Sequence, residues 1–204
     1  CRPASIEFLT ELRRRCTDHD VVLIFDEVMT SRLAPGGAQE RFSVVPDMTT
    51  LGKYLGGGMT FGAFGGRRKF LAAFDPNQGG ALTQAGTFNN NIVSMSAAVA
   101  ALTYELAPEQ ITAVNNRGDN LRDRLNNTFS AADAPMWATG VGSMVCIHGA
   151  DDRLVELVFH AALKDGLYLA RRGFMALSMA ITAQDCDALI ASVDNFLTSL
   201  NPRL

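Results

Sequence analysis

Lys53 is the residue whose surroundings best suit covalent chemistry. It is one of three lysines, with Lys69 and Lys164, and it stands among Leu51, Tyr54, Leu55 and the run Gly56-Gly57-Gly58. An amine attacks a carbonyl only when neutral, and burial or neighbouring cations lower its pKa. Glycines let a bulky group approach the backbone. Two carboxylates, Asp26-Glu27, directly follow the apolar run at residues 21–25, and Gly86-Thr87 opens toward the polar run Asn89-Asn90-Asn91. On composition and spacing alone, Lys53 is either a Schiff-base lysine or a surface lysine. Asp26 is either a functional acid or a plain strand-to-loop residue.

Other chemistries lack their signatures. Gly52-Lys53 is followed by Tyr54, with no glycine at the earlier position that a Walker A loop needs. The glycine cluster does not satisfy GxGxxG, and no serine has glycines two before and two after it. His19, His148 and His160 lie in no metal motif, and Cys1, Cys16, Cys146 and Cys186 have no CxxC spacing. The scattered cysteines read as reduced thiols of a cytoplasmic protein, with no metal site. The 204 residues carry a net charge of −3, which gives no general attraction to nucleic acid. No apolar run is long enough to span a membrane.

The elements that would position these residues follow from periodicity. Residues 5–16 read as a helix with Ile6, Leu9, Leu12 and Cys16 on one face. The run at 21–25 reads as a strand buried on both faces, as in a parallel sheet, and ligands bind beyond the carboxyl ends of such strands. Residues 30–47 read as loop, with Pro35-Gly36-Gly37 and Pro46-Asp47 as breakers. Residues 62–65 suit a strand, 67–74 a short helix and 75–86 a loop. Residues 91–106, rich in alanine, read as a buried helix, and 109–129 as a long amphipathic one. Strands are expected at 136–139, 143–148, 167–170 and 175–179, with helices at 151–164 and 184–200. The fold class is α/β, with a small α+β region at the end. A domain boundary is expected near 107–134, with the long helix as connector.

Taken together, Asp26-Glu27-Val28-Met29-Thr30, Pro46-Asp47-Met48-Thr49-Thr50-Leu51-Gly52-Lys53, Gly56-Gly57-Gly58, Gly62-Ala63-Phe64-Gly65-Gly66 and Gly86-Thr87-Phe88 resemble the class III aminotransferases of fold type I. Their order and spacing match together over residues 21–105. The resemblance implies pyridoxal 5′-phosphate as cofactor, with residues 1–107 as the C-terminal part of a large, mostly parallel-sheet domain and residues 108–204 as a connecting helix and small α+β domain. It implies Lys53 as the Schiff-base lysine and Asp26 as the partner of the pyridine nitrogen. Val28 would pack on one ring face, and Thr87 would bind the cofactor phosphate across a homodimer interface. Glu27 would face away from Asp26 as structural support.

Met29 is similar to the glutamate-1-semialdehyde aminomutase branch, whereas Ser31-Arg32-Leu33 and Thr87-Phe88-Asn89-Asn90-Asn91 look more like aminotransferases acting on β-amino acids, including aromatic ones, and the resemblance as a whole leans to the latter. The expected reaction passes an amino group from such a donor to a 2-oxo acid. A carboxylate substrate calls for a bidentate cation. Arg171-Arg172 is the first candidate, with Arg32 and Arg41 behind it. The family's chains are about twice this length, so the resemblance implies a further half before Cys1. The contrary reading is a non-catalytic fragment or interaction domain.

Overall fold

A computed structural model describes residues 1–200. The chain divides into two compact units. The first is Ala4–Ile111, and the second runs from Thr112 onward together with Cys1–Pro3.

The first unit opens with α1, Ile6–Asp18, whose N-terminus is capped by the Ser5 side chain accepting from Phe8 N–H. Of the expected face only Cys16 is fully buried; Leu9 and Leu12 are half-buried, and Ile6 is exposed. A mixed sheet follows: β1 (Ile24–Asp26), β2 (Met48–Gly52) and β3 (Gly62–Gly66). β1 and β2 are parallel, in the register Ile24↔Met48 to Asp26↔Thr50, and β2 pairs antiparallel with β3.

The strand expected at 21–25, buried on both faces, is corrected in extent and burial. Only Ile24–Asp26 forms a ladder, and Val21, Val22 and Ile24 are exposed. Among the described residues β1 pairs on one side only. Its end has a local cause, since the Asp26 carboxylate accepts Val28 N–H at 3.1 Å and turns the chain.

The segment at 30–47 is not all loop. A 3₁₀ turn spans Thr30–Leu33 and α2 spans Gly37–Arg41. Gly37 has φ +81°, and a Cβ there would lie 2.7 Å from the Glu27 carboxylate, so the breaker is a helix start that only glycine fits. Then come α3 (Arg68–Leu71) and α4 (Ile92–Ala100), which passes into a π-helical turn at Ala101–Glu105. α4 is not the buried helix its composition suggests. Ser94 and Ala98 are buried, while Ile92, Val93, Val99 and Leu102 are exposed.

The long helix α5, Pro108–Ala131, leads into the second unit. β4 (Met136–Val141), β5 (Met144–Gly149) and β6 (Phe174–Ala176) form an antiparallel meander. Residues 167–170 join no ladder, unlike the strand expected there. With α6 (Asp152–Lys164) and α7 (Ala183–Leu200), these elements close over one core that includes Leu121, Leu125, Phe129, Val145, Ile147, Val158, Ala162 and Val193.

Candidate functional site

Three of the residues singled out in the sequence come together at the carboxyl ends of β1 and β2. Asp26 is the last residue of β1 and lies in register with Thr50. Its Oδ1 accepts from Val28 N–H at 3.1 Å and from the Thr50 hydroxyl at 3.0 Å. Val28 packs next to β2: its Cγ atoms lie 3.7 and 3.8 Å from where a Cβ on Gly52 would stand. Lys53 leaves β2 immediately after Gly52. An amine, a carboxylate and an apolar side chain thus leave adjacent strand ends. Beyond such ends the ligands of α/β sheets bind.

The backbone at Lys53 marks it further. Its φ is +53°, the left-handed region, which costs a side-chain-bearing residue roughly 1–2 kcal/mol. Strain of this kind concentrates where geometry serves a ligand. Lys53 is exposed and has no ion-pair partner among the described residues. Lys69, in contrast, lies over the Phe70 ring and 3.9 Å from Asp20, and Lys164 ends α6. Close to Lys53 the glycine cluster serves packing: a Cβ on Gly57 would meet the Ala97 carbonyl oxygen at 2.4 Å, so α4 rests on this glycine.

Glu27 points to the other face. It is 1% exposed, and its carboxylate accepts from Ala38 N–H and Gln39 N–H at 2.8 Å each and from the Thr30 hydroxyl at 2.9 Å. It therefore holds the start of α2. Beside it a cavity of about 530 Å³ is lined by Glu27, Ser31, Gly37, Tyr54, Phe61 and Leu102 among others; Asp26, Val28, Lys53 and Thr87 do not line it. Tyr54 donates to Ser31 Oγ at 3.1 Å, and the Arg32 guanidinium lies 5.3 Å from the Tyr54 ring centre. Burial raises the Tyr54 pKa and lowers that of Arg32.

At the other end of the strands Asp47 is a knot that sequence reasoning treated as a breaker. Its side chain is 4% exposed. It accepts from Leu23 N–H and from Arg13, each at 2.8 Å, and forms an ion pair with Arg67 at 3.0 Å. The Leu23 bond, then Arg13, hold its carboxyl below the usual range. α1, the approach to β1, the start of β2 and the exit of β3 are thereby tied together.

The remaining candidates are Thr87, in the first unit, and Arg171 and Arg172, in the second. Thr87 lies on an exposed turn before the Asn91 cap of α4 and makes no side-chain hydrogen bond among the described residues. Arg171 and Arg172 belong to the second unit, on the turn before β6. Arg171 pairs with Glu156 of α6, and the Arg172 guanidinium lies 5.5 Å from the Phe174 ring centre. The four cysteines are free, three of them buried. Among the described residues no acidic, His or Cys cluster could hold a metal ion, and no helix is long and apolar enough to cross a membrane.

The family model for class-III aminotransferases matches residues 1–197. A β-phenylalanine transaminase of Variovorax paradoxus is 42% identical over 210 aligned residues, covering 97% of this chain and 48% of the relative. Glutamate-1-semialdehyde 2,1-aminomutase 2 of Lachnoclostridium phytofermentans is 37% identical over 207 residues, covering 93% and 48%. The crystal structure of a β-phenylalanine aminotransferase from Variovorax paradoxus superposes with a TM-score of 0.95 at 41% identity, over 100% of this chain and 50% of that one. A transaminase with PLP bound superposes with a TM-score of 0.90 at 27% identity, over 98% and 49%. The chain thus spans about half the length of the curated relatives it matches.

Proposed function

This chain belongs to the class III aminotransferases and has the α/β, fold type I architecture of that family; from that premise we propose that Asp26, Val28 and Lys53 form the cofactor-facing part of a pyridoxal 5′-phosphate transaminase site. The observation that carries the reading is the convergence of amine, carboxylate and apolar side chain at neighbouring strand ends. Those residue types suit the group: a primary amine for an aldehyde, an anion for a pyridinium, an apolar surface for a ring face. Support for the cofactor comes also from the PLP-bound transaminase of the same fold.

When bound, the cofactor would supply an electron sink for negative charge at the substrate carbon. Lys53 Nζ would hold it covalently, with loss of water from amine and aldehyde. Once an amino donor takes the cofactor over, the freed Nζ would carry the proton lifted from the donor carbon. The Asp26 carboxylate would accept the ring N–H, a charge-assisted bond that keeps the nitrogen protonated. Val28 would pack against one ring face. Thr87 would bind the phosphate across the interface of a homodimer. Arg171 and Arg172 are the candidates for the substrate carboxylate.

The donor in this reading is a β-amino acid, of which aromatic ones such as β-phenylalanine are the leading example, and the acceptor a 2-oxo acid. The higher identity to the β-phenylalanine transaminase than to the aminomutase supports it. The same reading places the enzyme in the cytoplasm, as the scattered cysteines without CxxC spacing suggest. Two measurements test the proposal. Borohydride reduction in the presence of pyridoxal phosphate, followed by peptide mass analysis, labels Lys53; a folded protein with no adduct there is a non-catalytic fragment or binding module. A donor panel then shows turnover of β-phenylalanine, whereas turnover of glutamate-1-semialdehyde alone assigns the aminomutase reaction.

A further inference from the structure

We infer that Thr50 is a positioning residue for the cofactor ring, acting through Asp26; the inference rests on the site proposed above. Thr50 sits in register opposite Asp26 on the parallel strand, so both side chains rise from the same face. Its hydroxyl donates to Asp26 Oδ1 at 3.0 Å, and Val28 N–H donates to the same oxygen at 3.1 Å. Both donors load one carboxylate oxygen. Oδ2 has no partner among the described residues and is left for the ring N–H. Thr50 is itself held, because its carbonyl accepts Glu27 N–H at 3.0 Å and its β-branched side chain has few rotamers.

Two directional bonds on Oδ1 fix the carboxylate plane. A freely rotating Asp26 carboxylate would receive the ring nitrogen less well. Preorganised supporting bonds of this kind decide how precisely a site holds its ligand. Val28 N–H is a backbone donor and persists in any variant at position 50, so the Thr50 hydroxyl is the part a substitution can remove.

The test compares two cofactors in the loaded protein: pyridoxal 5′-phosphate, and its analogue with ring nitrogen replaced by C–H, which gives Asp26 nothing to accept. Thr50→Val keeps the shape and removes the donor. The dissociation constant for pyridoxal 5′-phosphate rises on the order of tenfold, the scale of a hydrogen bond to a charged group, while that for the analogue stays within about twofold, since the bond at issue is absent from it. Thr50→Ser restores the hydroxyl and the affinity.

Equal losses for both cofactors would make the hydroxyl a support of the fold and overturn the inference, as would no loss at all. Should Thr50→Val not fold, Thr50→Ala carries the same comparison, and failure of both to fold also assigns Thr50 to the fold alone. Borohydride labelling separates the two levels. If unsubstituted protein takes no label at Lys53, the site itself falls. If it takes the label but the cofactor ratio does not move in Thr50→Val, only the role of Thr50 falls.

Discussion

The two units use their apolar residues in different ways. In the second, α5, α6, α7 and the β4–β6 meander enclose a continuous core, with Leu125 and Val145 fully buried. In the first, buried apolar residues are few, while Val21, Val22, Ile24, Phe64, Ile92, Val99 and Leu102 are exposed. Polar knots do much of the joining there: Asp47 gathers Arg13, Arg67 and Leu23, and Glu27 gathers Ala38, Gln39 and Thr30. The same unit carries Asp26, Val28 and strained Lys53. One region is built around its own packing, the other around precise placement of polar groups. That contrast predicts where a substitution costs chemistry and where it costs stability.

The largest effect is expected at Lys53. Lys53→Ala lowers transamination by roughly 10³-fold or more, since both covalent attachment and proton transfer are lost, and steady-state kinetics with mass analysis would show it. Lys53→Gly is equally inactive yet more stable than the alanine variant by about 1 kcal/mol, because glycine tolerates φ +53°. Thermal unfolding of the pair separates function from strain; no stability difference would mean the backbone there is unstrained.

Next comes Leu125→Ala, which destabilises the second unit by about 2–5 kcal/mol, read by denaturant unfolding, while pyridoxal phosphate labelling of Lys53 in folded protein persists. Asp47→Asn follows, at about 1.5–3 kcal/mol, because charge-assisted bonds to a nearly buried carboxylate are lost. Its pH dependence has a definite sign. The folded carboxyl titrates below its ordinary 3.8, so its contribution is complete above that value and fades as pH falls through the lowered one. Acid titration of stability below about pH 4 is therefore steeper in the unsubstituted protein than in Asp47→Asn. Equal slopes would remove Asp47 from the acid response.

Much of this contrast can be read along the chain, and its failures have physical causes. Helices with strong periodicity and caps, such as α5, α6 with Asp151 and α7 with Thr182, lie where the spacing places them. Val21-Val22 and α4 mislead because an apolar run reports what a segment would bury, not what lies against it. Pro35-Gly36-Gly37 and Pro46-Asp47 read as breakers, since neither local pattern reveals that Gly37 must clear Glu27 or that Asp47 would find Arg13 34 residues earlier. Lys53 and Asp26 stand out through motif spacing. Thr50 does not, because its meaning arises only from register: it matters by lying opposite Asp26.

The smallest stability effect is expected at the arginines of the second unit, and there the comparison between units is most open to being broken. Arg171 and its partner Glu156 are both well exposed, so Arg171→Ala changes stability by about 0–1 kcal/mol. Arg172 over Phe174 is a surface cation–π contact worth a similar about 0.5–1 kcal/mol. Neither variant tests the core, which isolates any effect on catalysis. If one of these guanidiniums receives the substrate carboxylate, its alanine variant raises KM for a β-amino acid about tenfold or more, the scale of a charged hydrogen bond, and leaves KM for a simple amine donor unchanged. A loss confined to carboxylate donors would make the second unit a contributor to specificity as well as a packed domain. Unchanged KM for both donors would leave the chemistry wholly with the first unit and return both arginines to the surface.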